Sequence, residues 1–233
     1  MSLVRLLGPI DVLGDDGFSR QSGSALRRTI LALLAIHAGH VRSPDWLMEH
    51  VWGDEQPDSG LRALRFHVSQ LRKEFGGVVE IETRPGGYLL DVPTPCVDAL
   101  DFARRSREAR IEPDDDRATA LCVAALGLWR GQPFADAAAC AALDSEATRL
   151  EELRLEMIEH SHVRRLGGGA GSELIAELTL LVTEHPLRET LWSSLMMAQY
   201  RAGQQTEALR SYERLRAHLA EGSGLDPRFA RSS

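Results

Sequence analysis

Two hydrophobic spacings alternate along this chain, and its N-terminal part uses both. Residues 3–7 and 11–13 read as short strands separated by Gly8-Pro9, and Asp15-Asp16-Gly17 reads as a turn. A three- and four-residue spacing follows. Ser24 caps a helix expected to run to Ala38, with Leu26, Ile30, Leu33, Leu34 and His37 on its buried side and Gly39 as its stop. Ser43 and Pro44 suit the N-cap and first position of a second helix, which carries Leu47, Met48, Val51 and Trp52 and ends at Gly53. After the Gln56-Pro57-Asp58 loop, residues 59–73 form a third helix with the apolar stripe Leu61, Leu64, Val68, Leu71 and Phe75, ended by Gly76-Gly77. Residues 78–83 and 88–92 read as strands about the tight turn Arg84-Pro85-Gly86-Gly87. These are the ingredients of a winged helix-turn-helix, with the second and third helices as the helix-turn-helix pair.

Pro93-Thr94-Pro95 is a stiff connector and divides the chain into residues 1–93 and 94–233. Beyond it the pattern is helical: 98–110, a break at Pro113, 117–129, and a long stretch over 141–166. A Gly167-Gly-Gly-Ala-Gly171 spacer leads to 172–184, then 187–201 and 206–220. The last pair carries Trp192, Leu195, Ala198 and Tyr200, then Gly203, then Ala208, Leu209, Tyr212 and Leu215, in the order of a tetratricopeptide hairpin. Small residues let the two helices approach, and large ones are expected to fill the next layer. The expected fold is mainly α: an N-terminal winged helix-turn-helix (α/β) followed by an all-α tetratricopeptide-like domain.

Composition narrows the class without deciding it. The chain has 233 residues, 43% hydrophobic and 26% charged, as ordinary soluble proteins do. No apolar run is long enough to span a bilayer, and residues 1–7 lack a signal-peptide pattern. Cys96, Cys122 and Cys140 are odd in number, lack metal-ligand spacing, and read as buried reduced thiols. A cytoplasmic protein with no membrane partner is expected.

Net charge is −7, which opposes any global attraction to nucleic acid. Its distribution reverses that locally. The acids Asp11, Asp15, Asp16, Asp54, Glu55 and Asp58 fall in apparent loops, whereas Arg62, Arg65, Ser69, Arg72 and Lys73 lie together off the apolar stripe of the third helix. One anchored face and one cationic face suit a helix to a DNA groove. The candidate DNA-binding residues are Arg62, Arg65, His67, Ser69, Gln70 and Arg72 in the major groove, Lys73 beside them, and Arg84 from the wing. Arg65 and Gln70 are assigned to bases, and Arg72, Lys73 and Arg84 to the backbone. His67 has two readings, a donor to DNA or a half-buried ring against the wing. Trp46 and Trp52 are assigned to the core, because a duplex reader needs no stacking platforms.

Other constellations are unproductive. The glycine spacer lacks the lysine and preceding strand of a phosphate loop. His37, His40 and His50 share no ligand register, and no nucleophile elbow, Cys/His pair or carboxylate pair stands out. No enzyme activity, metal or cofactor is expected. The C-terminal helices read either as a surface for a partner or as a scaffold that dimerises or buttresses the first half; the former is preferred.

Particular motifs carry a resemblance. They are Leu31-Ala-Leu-Leu34 with His37-Ala-Gly39, Trp52-Gly53-Asp54 with Pro57, His67-Val-Ser-Gln-Leu-Arg72 and Thr83-Arg-Pro-Gly-Gly-Tyr-Leu89. Val97-Asp98 with Phe102, Leu128-Trp-Arg-Gly131 with Pro133-Phe134, and Glu184-His-Pro-Leu-Arg-Glu189 follow. Ala202-Gly-Gln with Ala208-Leu and Tyr212, then Gly224-Leu-Asp-Pro227, complete the set. In that order they resemble the actinobacterial antibiotic regulatory protein family, usually called SARP. The resemblance implies a transcriptional activator whose first half is similar to the DNA-binding domain of response regulators and whose second half is a bacterial transcriptional activation domain. It further implies binding to direct repeats upstream of biosynthetic gene clusters, two copies on DNA, and contact with RNA polymerase holoenzyme. It also implies the short form, with no receiver domain before Met1 and no ATPase module after.

Two departures accompany the resemblance. Gln70 stands where the family usually has a basic residue, which points to adenine read through N6 and N7. The chain also stops soon after Pro227, without the final helix many members carry. The alternative reading is an adaptor that has lost DNA binding and holds a protein partner on its repeats; net acidity and Gln70 favour it.

Overall fold

In the computed structural model, which describes residues 3–169 and 171–223, the N-terminal strands follow the expected alternation. β1 (Leu3–Arg5), β2 (Asp11–Leu13) and β3 (Ser19–Arg20) form an antiparallel sheet in that order. Val4 lies opposite Val12, and both are fully buried. The two-residue β3 had no pattern of its own to announce it. Gly17, at φ +79°, closes the turn by donating to the Gly14 carbonyl at 3.0 Å.

The helix signals work as physics requires. The Ser24 hydroxyl accepts from the Arg27 amide at 3.4 Å and starts α1 (Ala25–Ala35). This helix ends three residues sooner than expected, in a turn that reaches Gly39. Every residue from Thr29 to Ala35 is buried, so α1 is enclosed on all sides instead of showing one stripe. Ser43 accepts from the Trp46 amide at 3.1 Å and opens α2 (Pro44–Trp52). A 3-10 turn over Gly53–Glu55 leads to α3 (Gly60–Phe75), whose buried side is Leu64, Val68, Leu71 and Phe75. Each such side chain contributes about 1.5–3 kcal/mol by leaving water. Leu61, expected in that stripe, is 39% exposed, although Gly60 and Leu64 on either side of it are buried.

The wing is β4 (Ile81–Arg84) and β5 (Gly87–Leu90), paired with Arg84 opposite Gly87 about a Pro85-Gly86 turn. Gly87 is there for space: a Cβ would lie 1.9 Å from the Arg42 carbonyl oxygen. The wing can therefore run against the segment entering α2. The Arg42 amide donates to the Tyr88 carbonyl at 2.8 Å, and the Tyr88 amide to that of Arg42 at 2.9 Å.

The remaining helices are α4 (Asp98–Ile111), α5 (Asp115–Leu126), α6 (Ala141–Gly167), α7 (Ser172–Glu184), α8 (Glu189–Arg201) and α9 (Gln205–Ser223). The Gly224–Pro227 motif lies outside the described residues. Two compact units result, Met1–Glu108 with Val123–Leu155, and Ala109–Cys122 with Glu156–Ser233.

In the first unit, the chain after the wing is fastened to the N-terminal strands. Asp98 accepts from the amides of Leu6 and Leu7 at 2.7 and 3.2 Å. The amides of Arg130 and Phe134 donate to the carbonyls of Leu7 and Leu6 at 2.7 and 2.9 Å. Asp136 accepts from the Ile10 amide at 2.8 Å and pairs with Arg28 at 3.2 Å. Buried Phe102 meets Trp129 edge-on at 5.3 Å.

In the second unit, α7, α8 and α9 pack consecutively about Leu178, Trp192, Leu195 and Ala198. Gly203, at φ +75°, ends α8; the Gln204 amide donates to Gln199 and the Gly203 amide to Tyr200, at 2.8 and 3.0 Å. The buried Ser211 hydroxyl donates to the Gln199 side chain at 2.9 Å and ties α9 to α8. Tyr200, Leu209 and Tyr212, expected to fill a further layer, are 61%, 69% and 50% exposed. Their helix positions point away from the described packing partners. All three cysteines are buried and free. No described helix is long and apolar enough to cross a membrane.

Burial pushes the Asp98 carboxyl up to about 6, against the Leu6 and Leu7 amides and the Arg130 guanidinium, which favour its charge. Between its ordinary value of 3.8 and about 6, the folded chain keeps a proton that the unfolded chain has released. Its share of the stability is thus complete below about pH 4 and is lost as pH rises through about 6, roughly 3 kcal/mol in all. Asp98→Asn cannot ionise. Urea unfolding at about pH 4.5 and about pH 7 should show the wild type losing stability relative to that variant as pH rises; parallel profiles would refute the shift.

Candidate nucleic-acid interface

α3 is held from behind and from both flanks, and its outer face is left open. Behind it lie Leu64, Val68, Leu71 and Phe75. On one flank Glu74 pairs with Arg27 of α1 at 2.9 Å. On the other, Arg72 engages the wing: Nε donates to the Ile81 carbonyl at 2.6 Å and a terminal nitrogen to the Thr83 hydroxyl at 2.8 Å. Its guanidinium also stands 5.9 Å from the Tyr88 ring. Arg72, assigned to DNA backbone from sequence, thus has an intramolecular task that fixes the wing on the helix.

The open face carries Arg62, Arg65, Phe66, Ser69 and Lys73, all exposed, with Gln70 half-buried at its edge. No hydrogen bond, ion pair or ring contact engages Arg62, Arg65 or Lys73 among the described residues. Their treatment differs from that of other arginines in the same unit. Arg5 pairs with Asp11, Arg20 with Asp16, Arg28 with Asp136, and Arg105 with Asp101. Arg84, near the wing tip, pairs with Glu82 and keeps half of its side chain in solvent. Those pairs engage Asp11, Asp16, Asp136 and Asp101, while the outer face of α3 carries cations and no acid.

His67 lies off that face. Its ring is half-buried, 6.4 Å from Trp52 and 5.5 Å from Phe66, so it faces α2 and not the wing. Burial, helped by the Arg27 charge, lowers its pKa below the usual histidine value. Trp46 and Trp52 are half-buried instead of lying in the core. Trp46 stacks on His50 at 4.0 Å, meets His37 edge-on at 5.2 Å, and has Arg42 5.1 Å above it. That stack braces the start of α2.

The structure brings Arg62, Arg65, Ser69, Lys73 and the edge of Gln70 onto one surface. It turns His67 inward and engages Arg72 and Arg84 with the wing. Sequence reasoning missed Phe66. The signal was available: Phe66 follows Arg62 by four residues and precedes Lys73 by seven, so it shares their face. Among the described residues, no group of three or more His, Cys, Asp or Glu side chains is arranged to hold a metal ion.

Residues 97–231 match the bacterial transcriptional activator domain family, and residues 22–90 match the family described as transcriptional regulatory protein, C terminal. DnrI of Streptomyces peucetius, a regulatory protein, is 32% identical over 96% of this chain and 87% of its own length. RedD of Streptomyces coelicolor, a transcriptional regulator, is 34% identical over 96% of this chain and 66% of its own. AfsR of Streptomyces griseus is 37% identical over 89% of this chain, which spans only 21% of that longer protein. The structure of Mycobacterium tuberculosis EmbR in complex with a low affinity phosphopeptide superposes with a TM-score of 0.87 at 30% identity, over 97% of this chain and 62% of that one. Two matched segments in the same order, carried on a winged helix with an open cationic face, settle the family: the chain belongs to the SARP-type DNA-binding transcriptional activators.

Proposed function

We propose that this activator lays α3 in the major groove of direct-repeat half-sites upstream of a biosynthetic gene cluster and recruits RNA polymerase holoenzyme to them. The observation that carries this reading is the set of unpaired cations Arg62, Arg65 and Lys73 on the solvent face of a helix locked in place from behind. An α-helix fits the major groove, and cations that have no acid partner among the described residues are free to replace counterions on phosphate.

Roles follow from placement. Arg65 and Gln70 read base edges, with Gln70 directed at adenine. Arg62 and Ser69 complete the groove contacts. Lys73 and Arg84 meet the backbone, Arg84 by exchanging Glu82 for phosphate. Arg72 sets the angle between helix and wing and offers its remaining nitrogen to phosphate. His67, neutral and turned toward Trp52, seats the helix.

Residues 1–93 supply the DNA contacts, and residues 94–233 supply the polymerase contacts, in the cytoplasm. Two copies bind head to tail on one DNA face, with half-sites roughly one helical turn apart. No catalytic step, metal or cofactor enters this scheme.

A mobility-shift titration in salt, on fragments from the chain's own genomic neighbourhood, tests the reading. Arg62→Ala and Lys73→Ala should each flatten the salt slope by about one unit, whereas Arg65→Ala should cost about 1–3 kcal/mol and relax one operator position. The absence of any shift at low salt would favour the adaptor. Unfolding separates reading from positioning: these three variants should stay within about 0.5 kcal/mol of the wild type. Arg72→Ala should lose about 1–3 kcal/mol; equal stability of all four would deny Arg72 its bracing role. Promoter DNA loaded with the protein should retain polymerase holoenzyme, and retention no better than on bare DNA would leave binding without activation.

A further inference from the structure

We propose that Phe66 reads the 5-methyl group of thymine, giving each half-site a thymine contacted through an apolar surface and no hydrogen bond. This rests on the DNA-binding reading above and adds a specificity-determining residue to it.

Phe66 is 56% exposed, although a ring of this size gains more than most side chains by leaving water. A lone apolar side chain on a surface needs no explanation. The position of this one gives it meaning. On the helix its nearest neighbours at three- and four-residue steps are Arg62, Ala63, Ser69 and Gln70, with Lys73 one turn further on. Unpaired Arg62 and Lys73 lie before and after it along the helix, so whatever covers the ring must also receive cations. An apolar protein surface would strip those charges of water without return. The floor of the major groove offers the required combination, since phosphates line its edges and the thymine methyl is the apolar group it presents.

The ring is also supported from one side. His67 meets it edge-on at 5.5 Å and is itself 6.4 Å from Trp52. This aromatic row limits the directions in which Phe66 can turn and leaves it standing outward from α3. Its place one turn before Gln70 puts the thymine next to the base that Gln70 reaches.

The test uses the full chain. Operator sequences are first selected from a random DNA pool, and each thymine in the selected half-site is then replaced by deoxyuridine, which removes only the methyl group. One or two positions should weaken wild-type binding about fourfold, the worth of one buried methyl. Phe66→Ala should bind the thymine and deoxyuridine operators equally, and Phe66→Leu should keep part of the difference. The ring is exposed, so both variants should unfold with the wild type, and an unfolding curve checks this. A half-site without thymine, or a deoxyuridine effect of equal size in wild type and Phe66→Ala, overturns the proposal while leaving DNA binding intact. Failure of the wild type to select any DNA overturns both readings.

Discussion

A buried carboxyl group holds the DNA-facing part of this protein together. Asp98 is 1% exposed, and each of its oxygens accepts one backbone amide at the end of the first strand. Those amides belong to Leu6 and Leu7, beyond the ladder between β1 and β2, and without Asp98 both would be buried donors with no strand to pair with. The sheet they extend has strands of only two or three residues, too short to be stable alone. It persists because the start of α4 and the segment from Arg130 to Asp136 close over it. That segment also grips α1 through Arg28, Ala138 just after it bonds Thr29, and α1 grips α3 through Arg27 and Glu74. A continuous series of contacts thus runs from Asp98 to the helix proposed to enter DNA.

The series changes what the two matched segments mean physically. Similarity divides the chain between residues 90 and 97, but compactness keeps Val97–Glu108 and Val123–Leu155 with the winged helix. The two divisions answer different questions. One marks what is shared among relatives, and the other marks which residues exclude water together. Helical residues after the wing provide a floor for the N-terminal sheet and for α1, whose enclosure on every side requires it. The same economy governs charge. Arg5 with Asp11 and Arg28 with Asp136 pair across these elements, Arg105 with Asp101 within α4, and each pair's field fades within a Debye length of roughly 8–10 Å. An anionic protein can then present a cationic helix, because net charge is a sum and a groove responds to its neighbourhood.

Much of this was legible in the sequence, for identifiable reasons. Caps and turns are local, so Ser24, Ser43 with Pro44, Gly53 and Gly203 marked helix ends from chemistry within a few residues. The stripe of α3 was legible because four of its five apolar residues meet one core. What escaped depends on distances through space. β3 is two residues long and exists only because β2 lies beside it. The burial of Asp98 depends on amides more than ninety positions away in sequence. Periodicity separates the faces of a helix, but it does not say whether a neighbour will cover a given face. Tyr200, Leu209 and Tyr212 therefore looked like packing residues and are exposed. Arg72 looked like a free cation and is held by the Ile81 carbonyl.

The engagement of Arg72 bears directly on how such a surface can discriminate. A guanidinium that bridges α3 and β4 fixes helix and wing relative to each other, so Arg84 and the open face of α3 keep one set geometry. Preformed geometry lowers the ordering cost of binding. It also means that sequence preference cannot come from the wing shifting to suit each site, and must reside in the few side chains left open on α3. In the proposed reading, Arg62 and Lys73 serve affinity on any sequence by meeting phosphate. The same reading leaves preference to Arg65, Phe66 and Gln70, which offer a cation, an apolar ring and an amide on adjoining parts of one surface. Three chemically different groups, rigidly spaced, distinguish base pairs better than a row of like charges, because each accepts a different pattern of donor, acceptor and methyl.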